Sequence, residues 1–173
     1  MKVILSMAVS ANGIIATKEG SEDFLSNKNW QQFVKLAKKV GCFIYGRKTY
    51  ENVITWDNSY LDPLKDVKKL VISKSDFHPQ EGFTIAHSPE EALQLLEKEG
   101  LQEVIVTGGS TINSEFAKRG LIDEVILDVN PSIIGEGIPV FFPADIMMKL
   151  ELVKFEKIGG DIIEIHYTVK KSS

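Results

Sequence analysis

Three short segments of this chain join an apolar run to residues that suit an anion. In Gly46-Arg47-Lys48-Thr49, the run Cys42-Phe43-Ile44-Tyr45 stops at a glycine, and two cations and a hydroxyl follow. The free N–H groups of a helix start attract negative charge, and cations are unfavourable there unless something negative is bound. Thr107-Gly108-Gly109-Ser110-Thr111 repeats the arrangement, with paired glycines that let a backbone approach a ligand closely. Ser73-Lys74-Ser75, after a third apolar run, offers a cation between hydroxyls. Each segment alone is also what a solvated surface or a tight turn would show. In an open parallel sheet, however, ligands gather at the carboxyl ends of strands, and all three segments would lie along that edge. Together they suit a ligand with several phosphates, such as a phosphorylated dinucleotide.

A fourth feature is a carboxylate out of place. Asp128 interrupts the otherwise apolar strand Val125-Ile126-Leu127-Asp128-Val129. A carboxylate there is anomalous, and its plainer role would be to cap a loop at the strand end. Asp23 is a second, weaker acid in what reads as a loop.

These groups need a frame to position them. Val3 to Val9 reads as a buried strand. Trp30, Phe33, Val34 and Ala37 recur at helical spacing, with Ser26 or Asn27 to cap the helix and Gly41 to end it. Cys42 to Tyr45 is a strand closed by Gly46, a short helix runs from Arg47 to Val53, and Lys69 to Ser73 is the next strand. Ser88-Pro89-Glu90-Glu91 carries a capping box with proline in the first helical position. Glu103 to Thr107 is a strand, Ser110 to Arg119 a helix, and Glu124 to Val129 a strand. Leu150 to Ile158 and Ile162 to Val169 form a β-hairpin whose second arm alternates apolar residues with Glu164, His166 and Thr168. Lys170 to Ser173 reads as a frayed tail. The class is α/β: a mostly parallel central sheet with helices, plus an antiparallel C-terminal hairpin.

Composition excludes several alternatives. The chain has 173 residues, 43% of them apolar, and suits one domain over residues 1–173. Its formal charge of −4, from 20 basic and 24 acidic residues, argues against a general nucleic-acid binder. One cysteine, Cys42, permits no internal disulfide and no multi-cysteine zinc site, and its apolar strand suits a small buried hydrophobe better than a nucleophile. His78, His87 and His166 are scattered and lack partners at ligand spacing, so no metal is expected. No G-x-G-x-x-G and no Walker A sequence occurs. The apolar N-terminus is too short for a membrane span and lacks the charged start of a signal peptide, so the expected location is the cytoplasm.

The order and spacing of the motifs resemble the dihydrofolate reductase-like superfamily, most closely its stand-alone riboflavin-biosynthesis reductase branch. The resemblance covers essentially the whole chain. It rests on Ser6-Met7-Ala8-Val9-Ser10-Ala11-Asn12-Gly13-Ile14-Ile15-Ala16, on Gly46-Arg47-Lys48-Thr49-Tyr50-Glu51, on Val106-Thr107-Gly108-Gly109-Ser110, and on Asp123-Glu124 followed by Pro131, Gly135, Gly137 and Phe141. It implies a three-layer fold with helices on both faces of the sheet and NADPH as hydride donor. Ala8 and Ile15 would frame the nicotinamide, and Ala16 to about Phe24 would be a mobile loop over it. Arg47, Lys48 and Lys74, with Ser73, would meet the 2′-phosphate. Gly46, Lys48-Thr49 and Gly108-Gly109-Ser110-Thr111-Ile112 would hold the pyrophosphate, with a cis bond between Gly108 and Gly109.

At the substrate end the pattern departs from folate reductases. Asn29 stands where they carry a helix carboxylate, four residues before Phe33, and Val67 stands where they carry an arginine for the folate tail. Lys65, Lys68 and Lys69 lie close by in sequence. Asp128 falls where they usually have a threonine. The resemblance therefore implies Asn29 and Asp128 as the catalytic pair, and Asn29, Phe33, Val53 and Asp128 as substrate contacts. The activity expected is NADPH-dependent reduction of a small nitrogen heterocycle, of the 5-amino-6-(5-phosphoribosylamino)uracil reductase type. Dihydrofolate reduction, or NADPH binding without turnover, are the alternatives. The implied partner is a small-molecule substrate, without nucleic acid or membrane. A homodimer is compatible with this branch, with the C-terminal hairpin as one interface.

Overall fold

The N-terminal apolar run forms β1 (Lys2–Ser10) at the centre of an eight-stranded sheet. The computed structural model describes residues 1–171. Its further elements are β2 (Ile14–Thr17), α1 (Asn27–Val40), β3 (Cys42–Gly46), α2 (Arg47–Val53), a 3₁₀ turn (Asn58–Leu64), β4 (Lys68–Ile72), β5 (Phe83–Ala86), α3 (Pro89–Lys98), β6 (Glu103–Val106), α4 (Ser110–Lys118), β7 (Glu124–Asn130), β8 (Gly137–Pro139), β9 (Lys149–Gly159) and β10 (Ile162–Lys170).

The sheet order is β5-β4-β3-β6-β1-β7-β10-β9. The pairings from β5 through β7 are parallel, and β10 and β9 add an antiparallel edge. Strands buried on both faces read as continuous apolar runs, and Val3, Leu5, Phe43, Ile44, Leu70, Val71, Val104 and Ile105 form the core accordingly. α1 and α2 carry the chain one way across the sheet, from β1 to β3 to β4. α3 and α4 bring it back, from β5 to β6 to β7. Right-handed crossovers in opposite directions put the two pairs on opposite faces, which makes the three layers.

The reversal matters for function. β3 and β6 are neighbours, but α2 leaves β3 in one direction and α4 leaves β6 in the other. This is a topological switch point, where a crevice opens at the strand ends. The ends are tied together: Gly46 N–H donates to Gly108 O at 2.8 Å, and Thr107 N–H to Ile44 O at 3.0 Å. A Cβ on Gly46 would lie 2.6 Å from Ile112 Cγ1, so only glycine lets α4 pack this close to the start of α2.

Asn12 fastens the segment after β7. Its amide donates to Ile134 O at 2.8 Å and accepts from Ile134 N–H at 3.2 Å. β8 then pairs with β2 in a separate two-stranded sheet. A Cβ on Gly137 would lie 2.5 Å from Ala16 O, which explains the glycine. The Ser110 hydroxyl donates to Pro139 O, and Asn113 donates to Val140 O at 2.9 Å, so α4 holds the same segment from below.

The structure differs from the sequence reading in several places. β2, β5, β8 and the 3₁₀ turn are extra elements. Each is short, and tertiary partners rather than periodicity hold it. The expected loop from Ala16 begins later, because Ala16 and Thr17 belong to β2 and a turn closed by Thr17 N–H to Ser21 O at 2.8 Å follows. The capping box at Ser88 is half of one. Ser88 Oγ accepts from Glu91 N–H at 3.1 Å, but the Glu91 carboxylate reaches past the cap to His87 N–H at 2.7 Å. Lys170 is not frayed but ends β10, and Lys171 pairs with Asp123 at 2.6 Å. The rest of the expected tail, 172–173, lies outside the described residues.

The outer face of the hairpin exposes Leu150, Leu152, Val153, Phe155 and Ile163. Among the described residues, no helix is long and apolar enough to cross a membrane.

Candidate active site

A groove of about 1220 Å³ runs from the switch point down one face of the sheet, beneath α1. Its mouth is formed by Thr49, Gly108 and Gly109, its floor by alternate residues of β1, β7 and β10, and its wall by α1 and the 3₁₀ turn. The loop 18–26 also borders it, through Glu19, Glu22 and Asp23.

At the mouth, α2 and α4 both begin without a side-chain cap, so their first N–H groups have no side-chain acceptor. The bond between Gly108 and Gly109 is cis. Lys48 and Lys74 are exposed and make no ion pair among the described residues. Arg47 is engaged differently. Its guanidinium bonds Glu51 at 2.7 Å and Ser75 Oγ at 2.8 Å and lies 4.7 Å from the centre of the Phe77 ring. Those contacts draw the 73–77 loop, and Lys74 with it, toward the start of α2. Ser73 is buried and its hydroxyl donates to Ser75 O at 2.7 Å, so it shapes this loop.

Two expected cofactor contacts take other roles. The Ser110 hydroxyl is spent on Pro139 O, which leaves only its N–H for a ligand. Ile112 is buried against Gly46 and is not part of the groove lining. Ala8 and Ile15 do line the groove, as do Phe33 and Val53. Thr111 is exposed at the start of α4, outside it.

Asn29 and Asp128 come together on the far side of β1 from that mouth, at the level of Ala8. Asn29 is 5% exposed and doubles as a capping residue. Ser26 N–H donates to its Oδ1 at 3.0 Å, while Ser26 Oγ accepts from Lys28 N–H at 3.2 Å. That backbone donor requires the amide oxygen on its side, so Nδ2 turns the other way, where it is buried without a hydrogen-bond partner. The spacing of Ser26 and Asn29 carried this signal, since an amide at the third helical position can close a capping box.

Asp128 is 8% exposed and sits opposite Ala8 on β1 and Glu164 on β10. Burial, and then the nearby Glu164 carboxylate, raise its pKa from 3.8 to about 6. The Asn29 amide is close enough to oppose part of that rise, although its Nδ2 makes no hydrogen bond of good geometry.

Sequence reasoning identified a wet face on the hairpin but not its register, which is what sets Glu164 beside Asp128. It also missed the aromatic wall. Trp30 stacks on Tyr60 at 4.0 Å, and Trp56 meets Tyr60 edge-on at 4.6 Å. Both tryptophans line the groove.

Charges on the floor are largely neutralised in place. Lys2 pairs with Glu124 at 2.6 Å and Glu103 at 3.3 Å, and Glu124 also holds His166 at 2.9 Å. Lys154 pairs with Glu156 at 2.6 Å and Glu164 at 3.5 Å. Lys35 and Lys39, one turn apart on α1, line the groove and make no ion pair among the described residues. Of the lysines around Val67, none lines it. Lys69 is buried and donates to Leu64 O and Val67 O at 2.6 and 2.9 Å, and Lys68 pairs with Glu99 at 2.8 Å. Cys42 is fully buried, with its thiol 3.1 Å from Glu103 O and its pKa pushed by burial to about 12, so it is inert core.

The family model of the RibD C-terminal domain matches residues 1–163. The Bacillus subtilis protein YwjB, whose function is uncharacterised, is 31% identical over 171 residues, covering 96% of this chain and 97% of its own. The 2,5-diamino-6-ribosylamino-4(3H)-pyrimidinone 5′-phosphate reductase of Methanothermobacter thermautotrophicus is 26% identical, covering 97% of this chain and 98% of its own. A crystal structure described as a riboflavin biosynthesis protein from Shewanella sp. PV-4 superposes with a TM-score of 0.81 at 24% identity, over 99% of this chain and 100% of that one.

Proposed function

The chain belongs to the RibD C-terminal domain family, and on that premise we propose that it is an NADPH-dependent reductase of a pyrimidine riboflavin precursor bearing a ribosyl phosphate. One observation carries the reading. A single groove joins the two uncapped helix starts at the switch point to the buried pair Asn29 and Asp128, so it has a phosphate-suited side and a heterocycle-suited side.

The residues present fit NADPH. The N–H groups at the start of α4, with those after Gly46, suit a pyrophosphate, and the crowding of Gly46 against Ile112 keeps side chains off that approach. Lys48, Lys74 and the outer edge of Arg47 suit the 2′-phosphate. When bound, the cofactor supplies a hydride to an electrophilic carbon, here the imine carbon of the opened ribosylamine. A proton must reach the adjacent nitrogen as the new C–H bond forms, which balances the reduction to a secondary amine. Asp128 is a buried acid beside Ala8, its neighbour across β1 and β7, where the nicotinamide would lie. Its raised pKa suits a carboxyl group that exchanges a proton near neutrality. Trp30, Phe33 and Tyr60 pack on one another in the groove wall, where they would cover a bound ring and exclude water from it. Lys35 and Lys39 are the groove cations left to receive the substrate phosphate.

Folate is the poorer substrate on this reading. Val67 is buried, and Lys65, Lys68 and Lys69 lie away from the groove, so the position where folate reductases carry their tail-binding arginine offers no cation here. The test is NADPH oxidation by the purified protein, followed by loss of reduced-nicotinamide absorbance, with the ribosylaminopyrimidine phosphates and with dihydrofolate. Turnover of a pyrimidine and not of dihydrofolate is the expected result. NADPH binding with no oxidation by either would overturn it in favour of binding without turnover.

A further inference from the structure

We propose that Glu156 and Glu164 form a path that carries a proton from water to the buried carboxyl of Asp128. The inference rests on the reductase reading and adds to it how the acid of that reaction is recharged between turnovers.

The three carboxylates lie in one line across the sheet. Glu164 on β10 is directly opposite Asp128 on β7 and, on its other side, directly opposite Glu156 on β9. Residues opposite one another on antiparallel neighbours share a face, with Cβ atoms about 5 Å apart. All three line the groove, and the line spans about 10 Å. Exposure rises along it. Asp128 is 8% exposed, the Glu164 side chain 16% and the Glu156 side chain 54%, so the outer member alone meets water freely.

Like charges directly opposite each other are unfavourable, and a wet sheet face does not require them. The next two lines on this face avoid the arrangement. One sets His166 between Ile126 and Lys154, and the other sets Thr168 between Glu124 and Glu151. The line through Asp128 instead runs from carboxyl to carboxyl, a local conflict of the kind that marks function. Lys154 makes it tolerable at the outer side, with its ammonium 2.6 Å from Glu156 and 3.5 Å from Glu164. Lys35 on α1 adds a cation near Glu156. Asp128 is faced by the Asn29 amide on α1 and by Glu164, and among the described residues no cation pairs with it. The two outer carboxylates are thus backed by positive charge and the inner one is not, so a proton entering the line settles on Asp128.

Each reduction passes one proton from the Asp128 carboxyl to the substrate nitrogen. Asp128 is then a carboxylate beside a second carboxylate, where water reaches it poorly. Glu164 restores it. A Glu164 O–H bond breaks as an Asp128 O–H bond forms, Glu164 is refilled from Glu156 in the same way, and Glu156 takes its proton from water. No electrons move, and one proton enters per turnover. Glu164 and Glu156 touch no reacting atom and act through Asp128, as positioning residues.

The test is Glu164→Gln, checked for native circular dichroism, with Glu151→Gln as a control that removes a carboxylate from a neighbouring line. The two are rapidly mixed with NADPH and a ribosylaminopyrimidine phosphate near pH 5. Glu164→Gln should complete its first turnover at close to the wild-type rate, because that proton is already on Asp128, and then slow about tenfold or more. Imidazolium, a small proton donor, should restore the later turnovers. The alkaline limb of the kcat/KM profile should move to lower pH, since a negative charge beside Asp128 is gone. Glu151→Gln should show none of these changes. Unslowed later turnovers in Glu164→Gln, or equal loss of first and later turnovers without rescue, overturns the path and leaves the reductase reading standing. A second arm needs no turnover. The carboxyl-carbon resonance of Asp128 is titrated in both proteins, and its midpoint should fall from about 6 in Glu164→Gln. An unmoved midpoint overturns the coupling on which the path depends. A moved midpoint in a protein that oxidises NADPH with no pyrimidine supports the coupled line and overturns the reductase reading instead.

Discussion

Asn29 and Asp128 meet in the groove from elements 99 positions apart in the chain, and each is held by a different constraint. Ser26 N–H fixes the Asn29 amide from the start of α1, at 3.0 Å, while the β1–β7–β10 register places Asp128 between Ala8 and Glu164. An orphaned donor and a ligand-free acceptor, both buried, are costly in a fold that nothing binds. The first expectations follow from that cost.

Asp128→Asn should stabilise the free protein near neutral pH. The folded-state pKa of about 6 lies above the ordinary 3.8, so the folded form holds its proton more tightly than the unfolded chain. The stability this represents is present below pH 4 and is lost as pH rises through about 6. The groups facing it are Glu164 on β10, Lys154 on β9 and Asn29 on α1. The variant should gain on the order of 1–3 kcal/mol over wild type near pH 7 and nothing near pH 3, read by urea melts at each pH. A gain that persists at low pH would contradict the assignment.

Asn29→Asp separates capping from recognition. A carboxylate can still accept from Ser26 N–H and is favourable at a helix start, so stability of α1 is retained. A like charge beside Asp128 should raise the Asp128 pKa further, and because the protonated carboxyl is the active form, the alkaline limb of the kcat/KM profile should move upward in pH. Asn29→Ala should instead lose about 1 kcal/mol of stability through the cap. Thermal melts and pH profiles of the two variants distinguish these effects.

Gly46→Ala tests the packing of the two helix starts. The new methyl group would lie 2.6 Å from Ile112 Cγ1, well inside contact distance. A loss of about 1–3 kcal/mol is expected. The double variant with Ile112→Ala should recover part of it, because the colliding atoms are gone. Additive losses in the double-mutant cycle would contradict the contact.

Lys48→Ala and Lys74→Ala should each weaken NADPH binding by about five- to tenfold while leaving NADH binding unchanged, as expected for charge-assisted contacts to one phosphate. Equal weakening of both cofactors, measured by nicotinamide fluorescence, would place the two lysines elsewhere. In the same way, Lys35→Ala with Lys39→Ala should raise KM for a phosphorylated pyrimidine about tenfold and leave that for its dephosphorylated form alone.

Much of this protein could be read from its residues in order. Strands buried on both faces need largely apolar runs, and β1, β3, β4, β6 and β7 have them, with Asp128 the exception in β7, so their existence is a local matter of composition. Helix limits were legible at Ser26, Gly41 and Ser88 because capping is satisfied within a few residues. The anion-suited mouth was legible for the same reason, since Gly46-Arg47-Lys48-Thr49 and Gly108-Gly109-Ser110 carry their chemistry in adjacent positions. Tertiary structure alone decided the rest. Whether the Ser110 hydroxyl is free depends on Pro139, and whether Lys69 points into the groove depends on the carbonyls of Leu64 and Val67. Glu164 stands beside Asp128 only because a hairpin register, set by pairing over the whole length of β10, puts it there. Hydrogen-bond supply and burial at a site are sums over distant neighbours. For that reason the sequence specified which groups were available for chemistry, and the fold determined which of them were left unspent.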